Sequence, residues 1–578
     1  MHDFRKRRII CLSIIGTAAL VLPLWVTNYS TRDSVAAFPE LEDIEDAEFR
    51  RFLMEQTADQ SYEMMEIPEW LLGDTSGEEY TKNLEAAMAA AIDDSKRSSG
   101  PKTIAPYDLA ELENARSLFS NTLGVVVYDP AEDDFLFFYS KNTIWASACT
   151  KLSSAFDGFT IMARETFPER FQGPGSEEFA IAISSGDYPH ISPHCTNFPH
   201  VSDKCSGSHA PILAFGSVFQ SAEIFPNMMA MPMPTGEHIH CFKNFAQSKS
   251  VCLQMQVKEG PDGPKGAQVF GEEFGLKWED LIPQVVWRGT DFNYLNLLIP
   301  DLRRARINGD LVKELESTEE ANKKAVLIKG MREIYDNMYP RWQSVILTAE
   351  SEVEAAEKGT LPWANMKFTG PAGMMKKEAQ QYDLFAKYGI DSIGESIGRA
   401  ELAKYKYHID LGGGGGTTWT GTIQKLAMPG LLFHHMTPTK DYILDVMKPW
   451  IHFIPVASHL GDLKEKVAWA ESHPQAAKMI ADQGSAMMRG WSTTEGYGEM
   501  FDAVFKQPFQ MALDAYQPVS SAHPGLSWKD VMEKEYSHMV KVKACVGRKN
   551  NSRGSGGGCR HYASKINKRM TPFPLKKK

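Results

Sequence analysis

Several features are missing from this sequence, and each absence excludes a class of protein. No Gly-Lys-Ser/Thr closes its glycine run, and G-x-G-x-x-G does not occur in its usual frame with a ribose-binding acid downstream. Ordinary nucleoside triphosphatases and dinucleotide dehydrogenases are therefore set aside. Positive charge is scarce. Lys and Arg number 62 against 73 Asp and Glu, a formal net charge of -11. The last 38 residues, 541–578, hold 12 of the basic residues and no acid, so the remainder stands at 50 − 73 = -23. An acidic body of this kind argues against general nucleic-acid binding. Neither His190, His194 and Cys195 nor His238, His240 and Cys241 completes a four-ligand set with known spacing, so no metal is expected. The acidic Glu132-Asp133-Asp134 reads as a solvated hairpin turn rather than a metal-binding motif.

What is present is enough for a large folded body. Hydrophobic residues make up 43% and aromatics 11%, which excludes a disordered or fibrous chain. At 578 residues the chain exceeds the ~250–300 residues that one core supports, so two folded units are expected. Arg5, Lys6, Arg7 and Arg8 precede an uncharged stretch from Ile9 to Val26, whose 18 residues give ~27 Å of helix, enough to span a bilayer core. The pattern predicts a signal anchor with a cytosolic N-terminus and a lumenal body, single-pass and type II, in the endoplasmic reticulum or Golgi. Cleavage after Val35-Ala36-Ala37 is the alternative. Cys195 with Cys205, Cys241 with Cys252, and Cys545 with Cys559 are plausible disulfides in an oxidising lumen, leaving Cys149 over. Asn28 and Asn550 head glycosylation sequons.

Along the chain the expected plan is a cytosolic basic tail (1–8), the anchor (9–26), an acidic stem (27–110), an N-terminal α/β acceptor domain (111–280), a C-terminal α/β nucleotide-sugar domain (281–490), a helical segment (491–540) and a basic disordered tail (541–578). Strands are predicted at 123–129, 135–139, 179–184 and 211–216, with a helix near 149–165, and their alternation suggests a parallel sheet. In the second unit the strand 405–410 leads into Gly412–Gly416 and a helix from about Thr417 to Leu426. Strand, glycine-rich turn and helix make a phosphate-binding geometry, because small residues let the backbone approach an anion. On spacing alone, a surface loop stays open as an alternative.

Trp287-Arg288-Gly289, Lys404-Tyr405-Lys406-Tyr407 and above all Lys448-Pro449-Trp450-Ile451-His452-Phe453-Ile454-Pro455-Val456, with the stretch 470–484 after it, resemble glycosyltransferase family 90 over roughly 179–490. That family holds Rumi-like protein O-glucosyltransferases and capsule-associated xylosyltransferases. The resemblance implies a GT-B-like pair of Rossmann-like domains around a cleft, and an inverting, metal-independent transfer from a UDP-sugar to a protein or glycan hydroxyl. UDP-sugar is then a substrate and no cofactor is expected. By the family's pattern Asp187 of Asp187-Tyr188-Pro189 is the general base, Tyr188 touches acceptor or sugar, and Arg288, Gly289 and Thr290 bind the donor diphosphate. Gly415, Gly416, Thr417, Thr418 and Thr420 of the glycine-rich turn are further donor-binding candidates. Thr422 stands where the family carries a second arginine, so a phosphate contact is lost or moved there, with Lys425 the candidate replacement. A lumenal protein that binds glycans or nucleotide sugars without transferring them is the alternative function.

Overall fold

A computed structural model describes residues 65–71, 82–91, 104–112, 123–140, 148–171, 175–184, 210–218, 230–234, 238–252, 275–295, 299, 301–370, 379–418, 420–535, 539–543 and 571–572. The expected anchor, both sequons, the Asp187-Tyr188-Pro189 loop and Cys195, Cys205, Cys545 and Cys559 lie outside these residues. Among the described residues no helix is long and apolar enough to cross a membrane. All described residues belong to one compact unit, Met54–Lys578.

The first sheet grows from a hairpin. β1 (Leu123–Asp129) and β2 (Asp134–Ser140) are joined by only four residues, a link that can connect antiparallel neighbours and not parallel ones. The chain then crosses over through α1 (Ala148–Thr166) to β3 (Phe179–Ser184), which pairs antiparallel with β1. β4 (Ile212–Ala214) and β6 (Ala230–Pro232) continue the sheet in parallel, while β5 (Ser217–Val218) leaves it. The expectation of a parallel N-terminal sheet is thus corrected to a mixed one: the hairpin turn makes β1 and β2 antiparallel, and the crossover through α1 brings β3 antiparallel to β1, a pairing that strand period does not encode. The acidic turn is structural. Arg164 of α1 donates to the Asp133 carboxylate at 3.2 Å and to its carbonyl, and the Tyr128 hydroxyl donates to Asp133 at 2.7 Å.

A second correction concerns the basic tail. Its start supplies β13 (Met539–Lys543), whose Met-Val-Lys-Val-Lys has the period-two pattern of a strand, and β13 pairs antiparallel with β2. β14 (Thr571–Pro572) adds the outermost strand.

The second sheet is parallel throughout. β7 (Ile282–Gly289), β8 (Ala364–Phe368), β9 (Tyr405–Asp410), β10 (Leu431–His435) and β12 (Ile454–Val456) lie in the order β12-β10-β9-β7-β8. β10 is buried along its whole length, as a strand covered on both faces requires, while the edge strand β8 alternates buried and half-buried residues. The helix α3 (Pro340–Lys358), with Pro340 at its first turn, links β7 to β8. Because β8 lies on one side of β7 and β9 on the other, the connections leave in opposite directions. The crevice beyond the carboxyl ends of β7 and β9 is the topological switch point, where open α/β sheets take ligands.

Two devices join the sheets. β5 pairs antiparallel with β11 (Thr439–Lys440), which follows β10. The helix α2 (Ile239–Ser248) sets Phe242 and Phe245 against Tyr497 and Phe501, at ring distances of 5.0–5.8 Å. The disulfide between Cys241 and Cys252, expected from their spacing, closes the end of this helix with Cα atoms 5.2 Å apart. The chain then turns back on itself. Beyond α4 (Thr420–Leu426), α5 (Leu463–Ser472) and α6 (Pro474–Trp491), the helices α7 (Thr494–Phe501) and α8 (Gln507–Ala515) return to the first sheet. Phe509 of α8 inserts among Phe159, Phe167, Phe171 and Phe179, with ring centroids 5.2–6.1 Å away, and is buried. Replacing Phe509 with Ala removes the anchor of this return and leaves a cavity in an aromatic core. Urea unfolding of Phe509→Ala is expected to show a loss of about 3 kcal/mol or more, and an unchanged midpoint would contradict the packing described.

Candidate functional site at the switch point

Three loops meet at the switch point: 290–295 after β7, 411–418 after β9, and 436–441 after β10. The middle one contains the glycines. Glycine is required at two of them: a Cβ on Gly412 would lie 2.4 Å from the Gly416 carbonyl oxygen, and Gly416 has φ +82° with a would-be Cβ 2.2 Å from Thr439 Oγ1. The turn is fixed, not loose, which removes the surface-loop alternative.

Its carbonyls show how it is fixed. Arg341, at the start of α3, donates from Nη2 to Leu411 O at 3.1 Å and from Nε to Gly412 O at 3.1 Å. Gly413 O accepts from Gly416 N at 3.0 Å, and Thr417 O accepts from Gly413 N at 2.9 Å. Gly414 O accepts from Leu295 N at 2.9 Å. Thr439 Oγ1 donates to Gly415 O at 2.7 Å, and Thr437 Oγ1 shares its one hydrogen between Gly416 O at 3.1 Å and Thr439 O at 2.8 Å. Every carbonyl from Leu411 to Thr417 is therefore held by a donor. The Gly412 N–H donates to His435 Nδ1 at 3.1 Å, and the other ring nitrogen bonds the Ser458 carbonyl at 2.9 Å. His435 is thus the neutral Nε2–H tautomer, and burial pushes its pKa down to about 4. Among the described residues the N–H groups of Gly414, Gly415 and Thr417 meet no acceptor. Donors left over while all neighbouring carbonyls point elsewhere are what an anion-binding turn needs.

Arg341 was not singled out by the sequence. Besides the turn it donates to Thr290 O across the switch point at 2.5 Å, so one guanidinium ties the β7 loop to the β9 loop. It lies 5.2 Å from the Trp287 ring centroid, and burial lowers its pKa to about 10 against the pull of Asp291 and Asp410. No glycine or motif marks it, and it sits 51 to 71 residues from its partners in a helical stretch that reads as scaffold; only the fold brings it in.

The predicted donor-binding residues divide. Thr290, Gly415, Gly416, Thr417 and Thr418 line the switch point, and Thr420 opens α4 beside them. Gly289 accepts from Thr369 N at 2.9 Å. Arg288 faces the β8 side: Nε donates to Glu395 O at 3.1 Å, Nη1 to the carbonyls of Trp287 and Asn365 at 2.8 Å, and Nη2 to Asn365 Oδ1 at 2.9 Å. Lys425 forms an ion pair with the buried Asp410 at 3.0 Å, so its charge is already balanced. Thr422, where the resemblance expects an arginine, is fully buried and donates to the same carboxylate, as does Thr418 at 2.9 Å, while His434 Nδ1 donates at 3.3 Å. Burial alone would raise the Asp410 pKa. Lys425, His434 and Thr422 together outweigh it and hold the carboxyl well below the usual range. An arginine in the place of Thr422 would compete with Lys425 for this carboxylate. Asp187 and Tyr188 lie outside the described residues. Among the described residues no three His, Cys, Asp or Glu side chains gather as a metal site, and Cys241 is engaged in its disulfide.

An open parallel sheet with an anion-type turn at its switch point, docked on a second mixed sheet, defines a two-sheet α/β protein with Rossmann-like features. Residues 378–495 match the family described as Glycosyl transferase family 90, and over that stretch the chain resembles that family. The stretch includes the glycine-rich turn, Asp410, Thr422 and Lys425 and leaves out Asp187 and Arg288. Protein O-glucosyltransferase 2 of Danio rerio is 35% identical over 95 residues, covering 15% of this chain and 17% of that protein. Protein O-glucosyltransferase 3 of Mus musculus is 30% identical over 107 residues, 16% of this chain and 20% of that protein. Protein O-glucosyltransferase 1 of Homo sapiens is 26% identical over 104 residues, 17% and 26%. The chain thus spans about a fifth of the length of the curated relatives it matches.

The buried pair at the base of the turn generates a test. Asp410→Asn strands the Lys425 ammonium and is expected to lower unfolding free energy by about 3 kcal/mol or more, whereas Asp410→Asn with Lys425→Met recovers much of that loss. Additive effects of the two substitutions in urea unfolding would contradict the pairing.

Proposed function

We propose that this protein is an inverting glycosyltransferase that moves a sugar from a UDP-sugar to a hydroxyl of a protein or glycan. The observation that carries this reading is the turn 411–417, with its carbonyls all engaged and the N–H groups of Gly414, Gly415 and Thr417 left for an anion, inside the stretch that matches the family. Such a turn suits a diphosphate held without a metal, since fixed donors stabilise the negative charge that grows as UDP departs. Because Asp410 balances Lys425, the turn's N–H groups carry most of that task. Arg288, next to Gly289 and Thr290, adds a cation if it exchanges its bond to Glu395 O for a phosphate oxygen. Asp187 takes the proton of the acceptor hydroxyl as its oxygen attacks the anomeric carbon opposite UDP, with Tyr188 beside the acceptor. The names of the relatives favour glucose over xylose and a protein hydroxyl as acceptor. The proposed setting is the lumen of the endoplasmic reticulum or Golgi, with residues 9–26 as a type II anchor. Thr422 in place of the family's arginine supports a second reading, a protein that binds the nucleotide sugar without transferring it.

Hydrolysis and transfer assays of the full chain against a panel of UDP-sugars separate the two. Turnover that falls at least a hundredfold in Asp187→Asn, with UDP affinity kept, is the expected result. Wild-type turnover in Asp187→Asn would remove the assignment of the base, and UDP binding with no turnover of any donor would favour the binding protein.

A further inference from the structure

The loop after β7 is turned inside out with respect to polarity. Asp291 and Tyr294 are buried, at 0% and 3% exposure, whereas Phe292 between them is 51% exposed. Among the described residues Phe292 is the only aromatic side chain among the exposed large hydrophobic residues. Scattered exposed leucines need no explanation, but an aromatic ring held out to solvent in a loop of the switch point is informative.

The residues on either side of the ring are tied down. Asp291 takes the Arg304 Nε at 2.9 Å and the Trp342 indole N–H at 3.2 Å, and it also bonds the Tyr382 hydroxyl, which fixes one side of Phe292. On the other side the Leu295 N–H is bonded to Gly414 O, with Leu295 in the left-handed region at φ +42°. Beneath the ring lies the Arg341 guanidinium, 5.8 Å from its centroid, the same group that holds Thr290, Leu411 and Gly412. One cation thus sets both the turn and the aromatic ring, so a ligand whose anion sits on the turn meets the ring at a fixed distance.

We propose that Phe292 is a stacking platform for the nucleobase of the donor. This rests on the reading of the turn as a diphosphate site and extends it to the far end of the nucleotide. A flat base gains by covering an exposed ring face that the fold has already ordered, and stacking of this kind tolerates any base while requiring an aromatic partner. Arg341 is the positioning residue behind it and has no contact with the ligand in this scheme.

Calorimetric titration of the full chain with UDP and, separately, with pyrophosphate tests the proposal. Phe292→Ala is expected to weaken UDP binding by about fivefold or more, Phe292→Trp to keep wild-type affinity, and both to bind pyrophosphate as the wild type does, because pyrophosphate has no base. Unchanged UDP affinity in Phe292→Ala overturns the platform while leaving the diphosphate site standing. Equal weakening of UDP and pyrophosphate also overturns it, since the ring would then only shape the turn. Wild-type protein that binds neither probe defeats the diphosphate reading, and the platform with it. Phe292 is exposed, so melting temperatures of the two variants are expected to match the wild type and confirm that they fold.

Discussion

Seven consecutive carbonyl oxygens, from Leu411 to Thr417, have to find donors at the end of a buried parallel strand, and the rest of the site follows from where those donors come from. Two come from the turn itself, and the others come from Arg341 on α3, Leu295 after β7, and Thr437 and Thr439 after β10. A backbone left to water could sample many shapes here, since glycine restricts it least. With every carbonyl engaged, one shape remains, and the peptide groups that still have an open N–H are fixed in place before any ligand arrives. Preorganisation of this kind makes backbone donors useful to a developing charge, because none must reorient when the charge appears.

The same hydrogen bonds couple the turn to the whole molecule. Thr439, which holds Gly415, belongs to β11, and β11 pairs with β5, which follows β4 of the first sheet in the chain. Helix α2 of the first sheet reaches the same seam, where His238 is hydrogen-bonded to Tyr442 and Phe242 packs on its ring. The chain then returns through α7 and α8 to cover the first sheet with Phe509. The donor loop is therefore braced from both sheets, and the aromatic seam keeps them in register.

Much of this was legible in the sequence. Apolar runs marked β1, β2, β3 and β4, and the order of strand β9, glycines and helix pointed to the turn. The spacing of Cys241 and Cys252 gave the disulfide. What could not be read were contacts between distant segments. Arg341 lies in an ordinary helical stretch and acquires meaning only when the fold sets it between Thr290 and Gly412. Lys425 looked like a spare cation because nothing local shows that Asp410, fifteen residues earlier, turns toward it. Arg288 sits next to the switch point in sequence, yet its donors go to Asn365 and Glu395, from strands and loops met only in three dimensions. Strand direction was legible only at the hairpin of β1 and β2, since the antiparallel pairing of β3 with β1 and the addition of β13 beside β2 depend on partners far along the chain.

The central claim is that the N–H groups of Gly414, Gly415 and Thr417 receive the diphosphate. Hydrogen exchange of the full chain, followed by mass spectrometry with and without saturating UDP, addresses it most directly. The account predicts slowed exchange in the peptide spanning 411–418, with little change in strands remote from the switch point; identical exchange of that peptide in the presence of bound UDP would contradict it.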